Sequence, residues 1–576
     1  MFNKNQKIIF TLSKTCMKKI AFLFISTTFL FQAKAQVNTS LLPASSLMKE
    51  NSLSPIKETV LPPFNLANAK QADITDANNG ELPKFSRSVF TNITLDNSGS
   101  WTNLPNGDRI WRLQITSKGA QALLPYYNKF YLPQGATFHV YTPDKDEIIG
   151  AFTSDNNPSG GYYATGLIHG ESCILEYYEP HEVRGKGIIS LNEIGHAYRW
   201  VNSYFPKKRT TQNDTLGFQQ SDACEVNVNC SEGAAWQNQK RSVVCMIVQS
   251  SLGQGACSGS LINTVRQDCT PYMLGAQHCS EGVSANQYSQ FLFYFNFESP
   301  NCNTPDSIGT LGNEFIAGCT KISDSNDNGG DNGSDFLLLQ LNNPPPSAYN
   351  VYYAGWSNQN VASDSGVCIH HPAADLKKIS TYLTPLVDTT WLTVPHTHWR
   401  VQWAATTHGH GVTEGGSSGS PLFNIQGQIV GTLTGGDSYC STPDEYDYFG
   451  KIAYDWTSNG TATNRQLKPW LDPDNTGAIS INGRNADCVL GVNEVKADDI
   501  NLSVLPNPSS GKFALLFETN DEKTLSVYDI TGKLLKQSKA AVNDLILNLQ
   551  SFSNGVYILV AENKNGRATK RLVLNH

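Results

Sequence analysis

Residues 412–422 read VTEGGSSGSPL, and an apolar run, LFNIQGQIVGTL (422–433), continues them. A serine hydroxyl is a poor nucleophile at neutral pH. It needs a base within hydrogen-bond reach, usually histidine, and a carboxylate that holds the imidazole in the right tautomer. It also needs backbone N–H groups aimed at the developing oxyanion. Glycine beside the serine lets the backbone turn tightly and leaves room for substrate. Ser418, between Gly416 and Gly419, offers that arrangement. Glycine–serine turns between strands are common, so this string alone does not separate a nucleophile from a turn.

Two further segments change the balance. In GACSGSLIN (255–263) and PYMLGAQHCS (271–280), a His-Cys pair begins 21 residues after Cys257. A Cys257–Cys279 bridge would pin the turn that carries His278, contributing about 3 kcal/mol through loop entropy. In NGSDFLLLQL (332–341), Asp335 stands just before an apolar strand. Alone, each reads as an ordinary surface histidine or turn aspartate. Together they stand in the order His278, Asp335, Ser418, which is the order of the chymotrypsin fold and not of subtilisins or α/β-hydrolases.

Composition agrees with a β-rich chain. Only 16% of the 576 residues are charged, with Gly 46, Pro 27 and 10% aromatic residues. This favours β domains with many turns over long solvated helices. The net charge of −7 gives no reason to expect nucleic acid or an anionic membrane as partner.

The chain starts with an export signal. Lys18 and Lys19 precede IAFLFISTTFLF and then QAKAQ, a secretory signal peptide expected to be cut after Ala35. The apolar run is too short for a membrane anchor, which needs about 20 residues. Export favours disulfides among the 13 cysteines. Ten lie between Cys224 and Cys440 and mark that region as one bridged domain.

Five segments are expected. Residues 1–35 are the signal. Residues 36–209 are a propeptide, loosely ordered at first and a β-sandwich from about residue 86, where IWRLQITS, ATFHVYTP and CILEYYEP recur between turn residues. Residues 210–486 hold the serine-bearing domain, with SVVCMIVQ, FLFYFNFE, HWRVQW and a helical-looking NRQLKPWLDP (464–473). Residues 487–498 are a linker, and 499–576 a small antiparallel sandwich with ITGK and NG turns.

The serine-bearing region resembles the bacterial lysyl endopeptidase family of chymotrypsin-fold serine proteases. The resemblance is carried by ACEVNVNC (223–230), ACSGSLIN, AQHC, SDFLLLQLNN, CIHHPAADLKKIS, HWRVQW, GVTEGGSSGSP, GTLTGGDSYC and WLDPDNTGAISINGR (470–484). It implies a double β-barrel in which His278 is the base, Asp335 its orienting partner and Ser418 the nucleophile. It further implies an oxyanion hole from the N–H groups of Gly416 and Ser418, no metal and no cofactor. The bridges Cys224–Cys440, Cys230–Cys302 and Cys257–Cys279 are implied in the same way, leaving Cys245, Cys269, Cys319, Cys368 and Cys488 unassigned.

The pocket reading also follows from the family pattern. Trypsin-like enzymes place a pocket acid six residues before the nucleophile, where this chain has Val412. The lysyl endopeptidase pattern takes its acid from an Asp-x-aromatic-Gly run, and DYFG (447–450) offers Asp447. Cleavage after Lys, with Arg left open, is the expectation, while Glu414 is expected to face elsewhere. Thr434, Gly435 and Gly436 should offer a strand edge to substrate backbone. Thr434 replaces a family histidine that stacks on a tryptophan matched by Trp391, so that stack is expected to be broken. Ser417 replaces the aspartate that receives a new N-terminus in trypsin-like zymogens, so cleavage at Lys207, Lys208 or Arg209 should not switch on the site by that ion pair.

The last segment, with VLPNPSSGKFAL, LSVYDITGKLL and LQSFSNGVYILVAEN, resembles the C-terminal sorting domain of type IX secretion substrates. This implies outer-membrane secretion machinery as partner and a secreted monomer, released or held at the cell surface, acting on proteins or peptides. Three rivals stay open: an inactive adhesin on the same fold, an endopeptidase of other specificity using His408 or His410, and a permanent accessory role for the segment read as propeptide.

Overall fold

The computed structural model describes residues 41–49, 52–78, 82, 84–199, 221–251, 253–305, 314–487, 502–529, 533–563 and 566–576. The signal peptide, the expected cutting sites Lys207, Lys208 and Arg209, the linker beyond Asp487, and Cys488 lie outside these residues. The chain divides into one unit up to Ala486 and a second from Asp487 to His576.

Within the first unit, residues 84–199 form two facing sheets. Arg109–Thr116, Ser172–Glu179, Thr137–Tyr141 and Ile148–Phe152 make one. Lys84–Thr94, Ile188–Ala197 and Ala122–Tyr131 make the other. Trp111, Leu113, Leu123, Tyr127, Phe130, Phe138 and Leu175 pack between them. The aromatic and β-branched content of these runs suits a pleated surface covered on one face.

The segment expected to be loosely ordered is instead built into this sandwich. Lys57–Val60 adds a parallel strand to Arg109–Thr116. Leu66–Asn78 is a helix whose Asp73 and Asp76 pair with Arg87 at 2.5 and 2.7 Å. Phe64 stacks on His196 with centroids 3.8 Å apart. Its polar composition hid this docking, which rests on ion pairs to Arg87 and the Phe64 ring against His196.

The serine-bearing region contains two antiparallel sheets. In the first, Phe315–Ala317, Leu292–Tyr294, Val243–Ser250, Gly253–Leu261, Tyr272–Ala276, Phe336–Leu341 and Cys319–Asp324 pair in that order. Its interior holds Val244, Met246, Val248, Leu261, Met273, Phe293, Leu337 and Leu339. In the second, the order is Lys378–Tyr382, Gly366–His370, Pro421–Asn424, Gln428–Gly436, Tyr446–Lys451, His398–Gln402 and Val387–Thr389. Tyr382, Trp399, Trp403, Val412, Leu422, Leu433 and Phe449 fill it. A third cluster, including Leu274, Phe336, Trp356, Ile369, Phe423 and Ile429, joins the two sheets. This is the chymotrypsin-like double-barrel arrangement, and the serine lies at its seam.

Disulfides Cys224–Cys440, Cys230–Cys302 and Cys257–Cys279 are formed. Cys269 is also disulfide-bonded, while Cys173, Cys245, Cys319 and Cys368 are buried free thiols. The stretch read as helical at 464–473 holds only the one-turn helix Lys468–Leu471 after a 3-10 turn at Thr463–Arg465. In the second unit, Leu502–Leu505, Lys512–Phe517 and Asp544–Asn548 form one sheet. Leu534–Ala540, Lys523–Asp529, Gly555–Asn563 and Gly566–Leu574 form the other. Phe513, Leu515, Leu525, Leu547, Leu559 and Leu572 fill the space between.

Candidate active site

The loop GGSSGSP is locked between the two sheets. Ser258 N donates to Ser418 O at 2.8 Å, and Ser258 Oγ donates to Gly416 O at 3.0 Å. Gly416 and Gly419 have φ of 102° and 80°, in the left-handed region that favours glycine. A Cβ on Gly419 would lie 2.6 Å from Ser258 O, and one on Gly416 2.9 Å from His371 O. Ser417 N donates to Glu414 O and Gly419 N to Leu433 O, but among the described residues the N–H groups of Gly416 and Ser418 have no acceptor. The partly exposed Ser418 hydroxyl likewise has no partner among them.

His278 sits in the 3-10 turn Gln277–Ser280, directly after the strand Tyr272–Ala276. The Cys257–Cys279 bridge holds that turn against the serine loop, with Cys279 Sγ 3.8 Å from Ser418 O. Asp335 grips His278 at two points. Its Oδ1 accepts from His278 N at 2.9 Å and its Oδ2 accepts from His278 Nδ1 at 2.7 Å. This fixes the ring proton on Nδ1 and leaves the Nε2 lone pair free to act as a base. Burial alone would lower the imidazole's pKa, yet the Asp335 carboxylate more than offsets it, and the pKa is raised above the ordinary 6.5.

Asp335 is fully buried and anchored in turn. Its N–H donates to Asp327 Oδ2 at 2.8 Å, and its carbonyl accepts from Gln277 N at 2.9 Å. Its φ of 61° is left-handed, a conformation that Asp tolerates better than most residues. That turn lets the carboxylate face the histidine while the chain enters Phe336–Leu341. A polar cavity lined by Gln277, Ser280, Glu281, Lys321 and Asp324 opens beside His278.

Asp447 lies in the strand Tyr446–Lys451, opposite Val401 on one side and Gly436 on the other. It is fully buried and takes part in no ion pair among the described residues. Its Oδ2 accepts from Trp403 Nε1 at 2.6 Å, Thr413 Oγ1 at 2.8 Å and Ser438 Oγ at 2.6 Å. Burial pushes its carboxyl up to about 6. Val412, buried and apolar, lines the neighbouring stretch. Glu414 turns away, accepting from Asp222 N at 2.9 Å.

Residue 434 makes no stack on Trp391, as expected, but an imidazole from elsewhere in the sheet comes near that ring. His398, from the strand His398–Gln402, lies with its ring 6.0 Å from that of Trp391, tilted by 36°. Its Nε2 is 3.0 Å from Thr434 Oγ1 and its Nδ1 2.7 Å from Thr397 Oγ1. The Thr397 hydroxyl donates to Val394 O, so Nδ1–H donates to Thr397, and Thr434 donates to Nε2. Burial depresses this imidazole to about 4 and keeps it neutral. Trp391 also covers Gly435, whose Cβ would lie 3.5 Å from its ring. His398 escaped sequence reasoning because it lies 36 residues from Thr434 in the chain and meets it only across the sheet.

Ser417 is tied to a second buried histidine, with Oγ 2.7 Å from His370 Nδ1 and accepting from Glu414 N at 3.2 Å. Neutral groups thus hold the loop where an ion pair was absent from the sequence. His408 pairs with Glu232 at 2.8 Å, which ties it to the Ser231–Trp236 turn.

Residues 218–450 match the family described as lysyl endopeptidase, C-terminal domain. This region is similar to the lysyl endopeptidase family of serine endopeptidases. A lysyl endopeptidase of Pseudomonas aeruginosa is 29% identical over 373 residues, covering 61% of this chain and 75% of its own. Among solved structures, a thermostable serine protease, AL20, from an extremophilic microorganism is 12% identical with a TM-score of 0.27, over 37% of this chain and 92% of its own. The HtrA-type protease AlgW, with a tripeptide, is 10% identical with a TM-score of 0.27, over 60% of this chain and 96% of its own. Residues 503–575 match a secretion system C-terminal sorting domain, which places the protease outside the cell or on its surface.

Proposed function

We propose that this protein hydrolyses peptide bonds after lysine through Ser418, His278 and Asp335. The observation that carries the reading is the two-point grip of Asp335 on His278 beside a glycine-framed serine loop whose two N–H groups have no acceptor among the described residues. Ser418 Oγ attacks the scissile carbonyl while His278 Nε2 takes its proton. The Gly416 and Ser418 N–H groups receive the oxyanion, and the leaving amine takes the proton back. Water, activated by the same imidazole, then opens the acyl-enzyme. Substrate backbone lies along Thr434–Gly436.

Asp447 supplies the preference for a cation. A buried carboxylate with several donors but no cation is completed by a lysine ammonium, whereas a neutral side chain leaves its charge unpaired. Removing one member of a buried charge pair costs about 2–5 kcal/mol. Asp447→Asn is therefore expected to lower kcat/KM for a lysyl peptide by about 30- to 5,000-fold, with little change for a norleucyl isostere. Equal losses for both peptides would remove Asp447 from the pocket.

The pH profile should carry the same signature. Protonated below about 6, Asp447 cannot pair with ammonium, so lysyl hydrolysis falls as pH drops through that range. His278 must be neutral to act, which adds an acidic limb above its ordinary value for every substrate. The ratio of lysyl to norleucyl kcat/KM should rise through pH 6 and then level. A ratio flat with pH contradicts the pocket assignment.

Digestion of a peptide library by the wild type and by Ser418→Ala, read by mass spectrometry, tests the whole reading. Cuts after Lys that vanish in the variant support it; cuts after Glu or apolar residues move the pocket elsewhere. The C-terminal domain is proposed to engage outer-membrane secretion machinery, and the enzyme to work as a monomer. An inactive adhesin would fail to react with an organophosphonate at Ser418.

A further inference from the structure

We propose that the outer face of the first protease sheet is a lasting dock for the N-terminal sandwich, so that cutting within 200–220 yields a two-chain protein and not a freed propeptide. The strand Val243–Ser250 shows why. Val244, Met246 and Val248 point into the protease core. Cys245 and Ile247, on the opposite face, belong to the core that contains Trp111, Leu123, Tyr127 and Phe130 of the sandwich. Ala256, Leu292, Phe315 and Ala317 join them there. The protease and sandwich thus share one continuous apolar core.

The backbone is shared as well. Lys84–Thr94 pairs with Gly253–Leu261 through Ser86 opposite Gln254 and Lys84 opposite Gly255, which makes a single twelve-stranded sheet. A Cβ on Gly253 would lie 2.3 Å from Ser86 O, so the close approach needs a residue without one. Several hydrogen bonds cross the seam, although Ser86 Oγ and Gln254 Oε1 are buried with no partner among the described residues. Glu193 Oε1 of the sandwich accepts from Gln249 Nε2 at 2.7 Å and Gln254 Nε2 at 3.2 Å. Leu167 N donates to Tyr294 Oη at 3.1 Å, and Gln290 Nε2 donates to Tyr127 O at 3.1 Å.

Losing the sandwich would expose this apolar face together with an unpaired strand edge, a template for aggregation. Seam contacts of this kind outlast a cut in the connecting chain, because none of them runs through the linker. None of them involves His278, Ser418, Thr434–Gly436 or Asp447 either. The sandwich completes the fold of the first sheet and, among the described residues, its seam contacts stay clear of the cleft.

The test uses the full chain with a recognition site for an unrelated, specific protease placed within 205–215. In Ser418→Ala, which cannot digest itself, the cut fragments are expected to share one size-exclusion peak in high salt and on dilution. Separate peaks overturn the proposal, whatever the state of the protease fragment. A second arm rests on the proposed activity. In the Ser418 protein, the cut and still-associated complex is expected to hydrolyse a short lysyl ester with no loss relative to protease freed of its sandwich. Activity that appears only after the sandwich is digested away overturns the open-cleft part. Absence of activity in every preparation, with fragments still co-eluting, refutes the catalytic assignment and leaves the dock standing.

Discussion

Ser418→Ala is expected to lower kcat by about 10⁶-fold, because the proposed nucleophile, base and orienting acid would act as one unit and losing the first abolishes the covalent route. The thermal midpoint should stay where it is. The Ser418 hydroxyl has no partner among the described residues, so its removal orphans no buried group. The loop's shape is fixed by other contacts: Ser258 N on Ser418 O, Ser258 Oγ on Gly416 O, and Leu433 O on Gly419 N. The N–H groups of Gly416 and Ser418, proposed to receive the oxyanion, therefore persist in the variant, and a small residual rate above water is expected from them and from binding. Steady-state kinetics beside differential scanning calorimetry checks both halves. Retained activity would show that the chemistry lies at another residue, and a large fall in midpoint would show that the hydroxyl supports the loop.

Much of this arrangement was legible in the chain because it is local. A glycine-framed serine before an apolar strand, an aspartate opening another, and a histidine beside a bridging cysteine each occupy a few consecutive residues. The run SVVCMIVQ read only as a strand, and the structure buries it on both faces. What covers the second face was not legible, since Lys84–Thr94 lies more than 150 residues upstream of Gly253–Leu261 in the chain. The same holds for residues 57–78, whose polar sequence concealed an added strand and a docked helix. The helical-looking NRQLKPWLDP keeps only one turn, Lys468–Leu471, with Pro469 in its first turn and Pro473 just past its end.

The site's second layer was harder to read than its first. Motif matching found Thr434 where a histidine was expected and stopped there. The replacement imidazole arrives from His398, two strands away in the sheet, and its hydrogen bond to Thr434 exists only in the folded register. The same limit applies to Ser417. As a sequence letter it signals a missing carboxylate; in the fold it meets His370, brought in by Gly366–His370. Partners that a sheet brings together across many residues leave no short-range trace.

Asp335→Asn is expected to lower kcat by about 10⁴-fold with KM little changed. The two-point grip decides which way the amide must lie. The His278 backbone N–H needs an acceptor at the position of Oδ1, so the amide oxygen takes that place. The amide nitrogen then faces His278 Nδ1 and donates to it. The ring proton is driven to Nε2, where it meets the serine as a donor and removes the base. The backbone tolerates the change, because Asn adopts the left-handed region at least as readily as Asp. Loss of the carboxylate also removes the largest influence that raised the imidazole's pKa, leaving only Glu281 and Asp327 against the lowering effect of burial. The acidic limb of the residual activity should therefore move to lower pH, a shift that a merely structural defect would not produce. Kinetics across pH, with the wild type alongside, reads both effects. A limb that stays in place with kcat nearly intact would mean that Asp335 orients nothing.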